Sequence, residues 1–194
     1  KRQLIRVLAL CLRFINNIRA AIVARIDPAS AQMRRRGWLA PLELREATVV
    51  IIRLIQLDMY PLEYKALSKE KGLPPKSSLI SLNPYLGPDG LLRVGGRLMN
   101  SQVERLNKHP IILPPNHKFT VLFLEMIHLA FLHAGLAMMM GCVRQQYWIP
   151  SLRRVAKKVI NACLTCRRWR AAPVQQIMGS LPPSRVNPSR PWAH

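Results

Sequence analysis

The stretch HLAFLHAGLAMMMGCVRQQYWIPSLRRVAKKVINACLTC, residues 128–166, decides how this chain folds. Four residues separate His128 from His133, twenty-nine separate His133 from Cys163, and two separate Cys163 from Cys166. Two imidazoles and two thiolates suit a tetrahedral zinc ion. On a continuous helix two side chains five positions apart lie about 140° from one another. The helix carrying His128 is therefore expected to end near it, with His133 reached through a loop before Gly135.

The residues between the two ligand pairs agree. A helix is expected over 136–146, and another from Ser151, a residue type that favours the N-cap, to the CxxC. At about 100° per residue, Arg153, Arg154, Lys157 and Lys158 fall on one face of that helix. Leu152, Val155, Ala156, Val159, Ile160 and Cys163 fall on the other. One face is buried and ligates; the opposite face is uniformly basic. A segment of about 55 residues buries little surface, and a metal is a usual staple for one so small. Structural zinc supplies roughly 10–16 kcal/mol of apparent binding energy in small fingers.

Other chemistries fit less well. A redox CxxC wants a thioredoxin-like strand and helix before it, and none precedes Cys163. A Cys–His nucleophile pair fits the spacing still less. A catalytic zinc wants an open position or a nearby carboxylate, and no acidic residue follows Glu125. His109, His117 and His194 read as loop or surface residues, Tyr147, Trp148 and Ile149 as a cap on the core, and Cys11 and Cys142 as small apolar fillers.

Charge adds a partner. The 194-residue chain has 30 basic and 9 acidic residues, a net charge of +21, against an apolar share of 49% that excludes general disorder. From 126 to 194 there are ten basic residues and no acidic one. Such asymmetry points to a polyanion, most often nucleic acid. The face of Arg153, Arg154, Lys157 and Lys158, extended by Arg167, Arg168 and Arg170, reads as phosphate-contacting, with a merely solvated face as the other reading.

Upstream, Leu4, Leu8, Cys11, Ile15, Ile18, Ile22 and Ile26 make one helix stripe, expected to pack on a neighbour. Arginines interrupt that segment, so no uninterrupted apolar run reaches the roughly 18–20 residues of a bilayer span, and no membrane partner is expected. A second helix starts near Pro41 and stops before Pro61, a third covers 62–70, and Ala40 stands where a capping hydroxyl is expected. MRRRGW (33–38) reads as a short basic linker. From 79 the texture changes: Asp89-Gly90 between YLG and LLRV signals a hairpin, and HPIILPP (109–115) another strand. The expected fold is mainly α with a small antiparallel sheet of three strands. Its segments are helical 1–78, a β extension 79–115, a three-helix zinc-binding module 116–170, and a Pro-rich extended linker 171–194. The chain begins at Lys1 in mid-pattern and reads as a piece of a longer polypeptide.

With these residues assembled, the chain resembles the integrase region of Pao/BEL-type retrotransposon polyproteins over roughly 41–194. The likeness is carried by GLLRVGGRL (90–98), HPIILPPNH (109–117), His128 and His133 followed by Ala134-Gly135, RQQYWIP (144–150), CLTC (163–166) and MGSLPPSRV (178–186) leading into RPW. It implies one structural zinc held by His128, His133, Cys163 and Cys166. It also implies a role in folding, multimerisation and DNA-end binding for a separate RNase H-like catalytic core, and makes the N-terminal helices a connector. Nothing here matches that core's carboxylates, so the chain is expected not to be an enzyme and to take no small-molecule substrate. The resemblance implies an intracellular setting, a cytoplasmic particle and the nucleus. The alternative is an orphan or domesticated zinc module acting as a protein–protein scaffold.

Overall fold

Helix α1 (Arg2–Ile26) lies against helix α2 (Pro41–Met59), and a buried ion pair locks them together. The computed structural model describes residues 2–26, 35–69, 71–75, 77–95, 108–172, 174–175, 177–188 and 190. Pro41 opens α2, where its missing N–H costs nothing. Ala40 has no hydroxyl to offer, and Glu43 takes over the cap: its carboxylate accepts the Ala40 N–H at 2.8 Å. The same carboxylate receives the Arg13 guanidinium from α1 at 2.8 and 2.5 Å and is itself only 4% exposed. Arg35 reaches Glu46 at 3.0 Å, and its backbone is held from both sides by the Asn17 amide.

This pairing turns α1. Ala9 is fully buried, and Ile5, Leu12 and Arg13 are half-buried on the packed side. Among the described side chains of the expected stripe, only Leu8 is partly buried; Leu4, Cys11, Ile15, Ile18 and Ile22 face out, and the Ile26 side chain lies outside the described ones. Apart from Leu8, at its edge, the described stripe is turned away from the core, and the face carrying Arg13, which reaches Glu43, is turned in. Cys11 is not a buried filler, though Cys142 does pack against the core. Over Gln3–Arg25 the helix is long and apolar enough, by length and composition, to cross a membrane.

After α2, helix α3 (Pro61–Ser68) leads through a short 3-10 turn (Ile80–Leu82) to the sheet. Strands β1 (Tyr85–Leu86) and β2 (Leu92–Arg93) form the hairpin announced by Asp89-Gly90, with Tyr85 opposite Arg93 and Leu86 opposite Leu92. Gly90 has φ +69°, and a Cβ there would meet the Arg53 guanidinium. Strand β3 (Ile111–Ile112) adds to β2 antiparallel. The sheet is not purely antiparallel, however: a fourth strand, β4 (Tyr147–Trp148), joins β3 in parallel, giving the order β1-β2-β3-β4. Residues between β3 and β4 form helix α4 (Lys118–Ala130) and helix α5 (Leu136–Arg144), so the crossover needed by a parallel pair is built from the module itself. Beyond β4 come helix α6 (Leu152–Ala162) and helix α7 (Leu164–Arg170). The tail is exposed where described and carries one helical turn, Pro183–Val186, in place of a wholly extended linker.

One buried side chain ties helix to sheet. The Gln56 amide is 0% exposed; it donates to the carbonyls of Leu92 (3.0 Å) and Ile112 (2.7 Å) and accepts the Leu92 N–H (2.7 Å). Ile51 and Ile55 of α2 share one apolar cluster with Leu91, Ile111 and the helices around the cysteines. Met33, Arg34, Gly96 and Glu104 lie outside the described residues.

The hydrogen bond from Arg13, then the Ala40 N–H and the nearby guanidiniums, hold the Glu43 carboxyl down to about 2 against the opposing cost of burial. A depressed carboxylate contributes stability that is complete above its unfolded value and lost as pH falls towards the folded one. We expect Glu43→Gln to be less stable than wild type at pH 6, with the difference shrinking between about pH 5 and pH 2. Denaturant melts followed by helicity at each pH measure this; a constant difference across the range would refute the Glu43 assignment.

Candidate metal centre

Helix α4 does not stop at His128 but runs a further half turn to Ala130, and its C-terminal closure aims the first two ligands. The His128 carbonyl accepts the N–H groups of both His133 (2.8 Å) and Ala134 (3.2 Å). In return the His128 ring, buried at 2% exposure, bonds through Nδ1 to the Ala134 carbonyl at 3.0 Å. A carbonyl can only accept, so Nδ1 carries the proton and Nε2 presents its lone pair, the orientation a metal-binding histidine usually receives from its outer partner. Leu132 and His133 both take positive φ, 50° and 65°. For residues with a Cβ this left-handed backbone costs on the order of 1–2 kcal/mol each. The turn swings the His133 ring back over His128, with Nδ1 at 3.2 Å from His128 Nε2.

The cysteines come from a helix break. The sequence suggests one helix running into the CxxC; in the structure α6 ends at Ala162, Cys163 is extended at φ −71°, ψ 117°, and α7 restarts at Leu164. Ser151 does not cap α6 with its side chain: it sits left-handed at φ 55°, and Ile149 and Ser151 carbonyls take the first N–H groups. Cys163 stays half-exposed at the break, and Cys166, on α7, is the buried member.

Cys163 Sγ lies 3.2 Å from His133 Nδ1, and Cys166 Sγ lies 3.3 Å from His128 Nε2 and 3.7 Å from His133 Nδ1. All four ligand atoms fall within 4.8 Å of one another. Around a tetrahedral zinc with ordinary bond lengths of about 2.0–2.3 Å, ligand atoms stand roughly 3.3–3.8 Å apart. The donor set and the spacing fit one zinc, with His128 ligating through Nε2 and His133 through Nδ1. The backbone N–H of Cys166, and next the His128 ring, pull the Cys163 thiol down to about 6, while burial pushes the Cys166 thiol up. Four protein ligands leave no open position, so such an ion supplies folding energy rather than Lewis-acid chemistry.

The remaining candidates are placed as follows. Leu152, Val155, Ala156, Val159 and Ile160 are buried, and Arg153, Arg154, Lys157 and Lys158 are exposed on the other side of α6. Arg167, Arg168 and Arg170 are exposed on α7, and between them Trp169 is 87% exposed. Sequence reading passed over that indole, although the run RRWR displays it. Ile149 is in the core, Tyr147 meets Phe123 edge-on at 4.9 Å, and Trp148 is part-exposed. His117 caps α4 by accepting the Phe119 N–H at 3.1 Å, and His109 bonds the Val94 carbonyl. His194 lies outside the described residues.

Residues 115–172 match the family model described as the integrase zinc binding domain. The match contains all four ligands, the break at Cys163 and the basic face of α6. No curated protein and no solved structure matches the chain.

One zinc per chain is expected by metal analysis of the purified protein. Cys163→Ser with Cys166→Ser should abolish it and lower helicity at 25 °C, since structural zinc is worth roughly 10–16 kcal/mol in small modules. Full helicity in the double variant, or in chelator, would count against a structural role.

Proposed function

We propose that this chain is a zinc-organised part of a retroelement integrase of the Pao/BEL type, which supports folding and multimer contacts and binds DNA ends for a catalytic core carried elsewhere in the polyprotein. The observation that carries the DNA-binding part is the two-sidedness of α6. Its apolar face is fixed against the ligand cluster, and its outer face presents four cations where no carboxylate follows Glu125. Arg167, Arg168 and Arg170 are exposed as well, on α7. Phosphates are met by such a face without reading bases, because exposed guanidinium and ammonium groups neutralise charge at any sequence. The expected setting is a cytoplasmic particle and then the nucleus.

A protein–protein scaffold without DNA is the second reading, and salt separates the two. Each phosphate contact contributes about −0.9 to the slope of log K against log salt on duplex DNA. Arg153→Gln, Arg154→Gln, Lys157→Gln and Lys158→Gln together should flatten the slope by up to about four times that amount while leaving zinc content intact. Binding that ignores salt, or is unchanged in the quadruple variant, would favour the scaffold.

The chain is also expected to lack strand-transfer and nuclease activity by itself. Two-metal phosphoryl chemistry needs clustered carboxylates, and Glu125 stands exposed on α4, three residues before a ligand. Labelled DNA ends incubated with Mg²⁺ or Mn²⁺ should remain unprocessed. Activity that survives repurification and vanishes on Glu125→Gln or Glu104→Gln would overturn this.

A further inference from the structure

Helix α1 exposes a long apolar face that nothing among the described residues covers. Leu4 is 55% exposed, Phe14 66% and Ile22 55%, with Val7, Leu10, Ile15 and Ile18 also exposed. At about 1.5 Å per residue the face runs roughly 27 Å from Leu4 to Ile22. The packed side is centred near Ala9 and Arg13; Leu8, partly buried against the core, marks the edge of the exposed face, while Leu4, Cys11, Ile15, Ile18 and Ile22 are exposed. Contiguous apolar surface of this extent marks an interaction site rather than scattered surface hydrophobes.

The pattern of the face says what fits it. Leu4, Leu8, Cys11, Ile15, Ile18 and Ile22 advance by alternating steps of four and three, the seam of a coiled coil held for nearly three heptads. Leu8, Ile15 and Ile22 take one seam position and Leu4, Cys11 and Ile18 the other. We propose that this face pairs with α1 of a second copy of the chain, antiparallel about a two-fold axis near Arg13. This rests on the multimer-contact part of the reading above and on none of its DNA-binding part.

In that register every seam residue meets one of the other class: Leu4 faces Ile22, Leu8 faces Ile18, and Cys11 faces Ile15. A parallel pair would instead set Arg25, at the next seam position, against its own copy. The antiparallel pair moves both arginines to opposite ends. The heptad spacing is what favours a second helix; Val7, Leu10 and Phe14 widen the exposed face beside the seam, so a lipid surface is the competing occupant that the vesicle measurement decides.

The test uses the full zinc-loaded chain in sedimentation equilibrium over a range of concentration and salt. A dimer is expected, and it should tighten as salt rises, because two copies of +21 repel and screening relieves them. DNA binding weakens with salt, so the two proposals fail separately. Ile15→Glu with Ile18→Glu should weaken the dimer at least about a hundred-fold by burying charge in the seam, with zinc content and helicity unchanged because neither side chain packs on α2. Oxidation supplies a second measurement that needs no charged variant. Wild type should give little Cys11–Cys11 bridge, whereas Ile15→Cys should give a covalent dimer from Cys11 to the introduced thiol, mapped by mass spectrometry. A monomeric wild type, a dimer indifferent to the two glutamates, or a monomer that binds anionic vesicles through α1 would overturn the proposal. A high-yield Cys11–Cys11 bridge would overturn the antiparallel register.

Discussion

Four ligand atoms from two distant places in the chain must meet at one point, and most of the C-terminal half is arranged so that they do. His128 and His133 come from a helix end wound tightly enough to force two side-chain-bearing residues into left-handed backbone. Cys163 and Cys166 come from a break between two short helices. Neither piece would hold its shape on local preference alone, since left-handed residues are disfavoured and a seven-residue helix is far below the length at which helices persist in water. The ion's demand for four ligands is what makes both conformations economical, and the Nδ1 bond from His128 to the Ala134 carbonyl keeps the donors aimed.

That metal-centred unit is continuous with what precedes it. β4, which follows α5, pairs with β3, and Gln56 reaches from α2 to the backbones of both β2 and β3. A buried amide satisfied on three sides by strand backbone is costly to replace, because its removal leaves strand groups unpaired in a dry site. The helices before the sheet are thus coupled to the cluster through strands of two residues each. α1 is fastened to the same assembly by Arg13 and Glu43, a pair whose carboxylate also finishes the start of α2.

The ligands were legible because metal chemistry restricts both residue type and spacing, and both are visible in a string of letters. The hairpin was legible because Asp89-Gly90 encodes a turn locally. The parallel pairing of β3 with β4 was not, since Tyr147-Trp148 carries no local mark of its partner and reads equally as the end of a helix. The stripe on α1 was read correctly as a stripe and wrongly as the packed face. Periodicity locates an apolar face, but an ion pair thirty residues away, from Arg13 to Glu43, chose which face turned inward. Ser151 shows the same limit at smaller scale: a residue type that usually caps sits in left-handed backbone and makes no side-chain cap bond.

The parallel strand pair has a consequence for how the protein assembles in time. β4 can dock on β3 only after the residues between them have folded back, a non-local closure that is slower than local helix formation. The histidines lie inside that loop and the cysteines beyond β4, so until the helices after β4 pack back on α4 the metal has two partial sites rather than one complete one. A complete four-ligand site therefore exists only once the two ligand-bearing pieces have met. A newly made chain passes through an interval in which two reduced cysteines are open to oxidation before zinc can protect them.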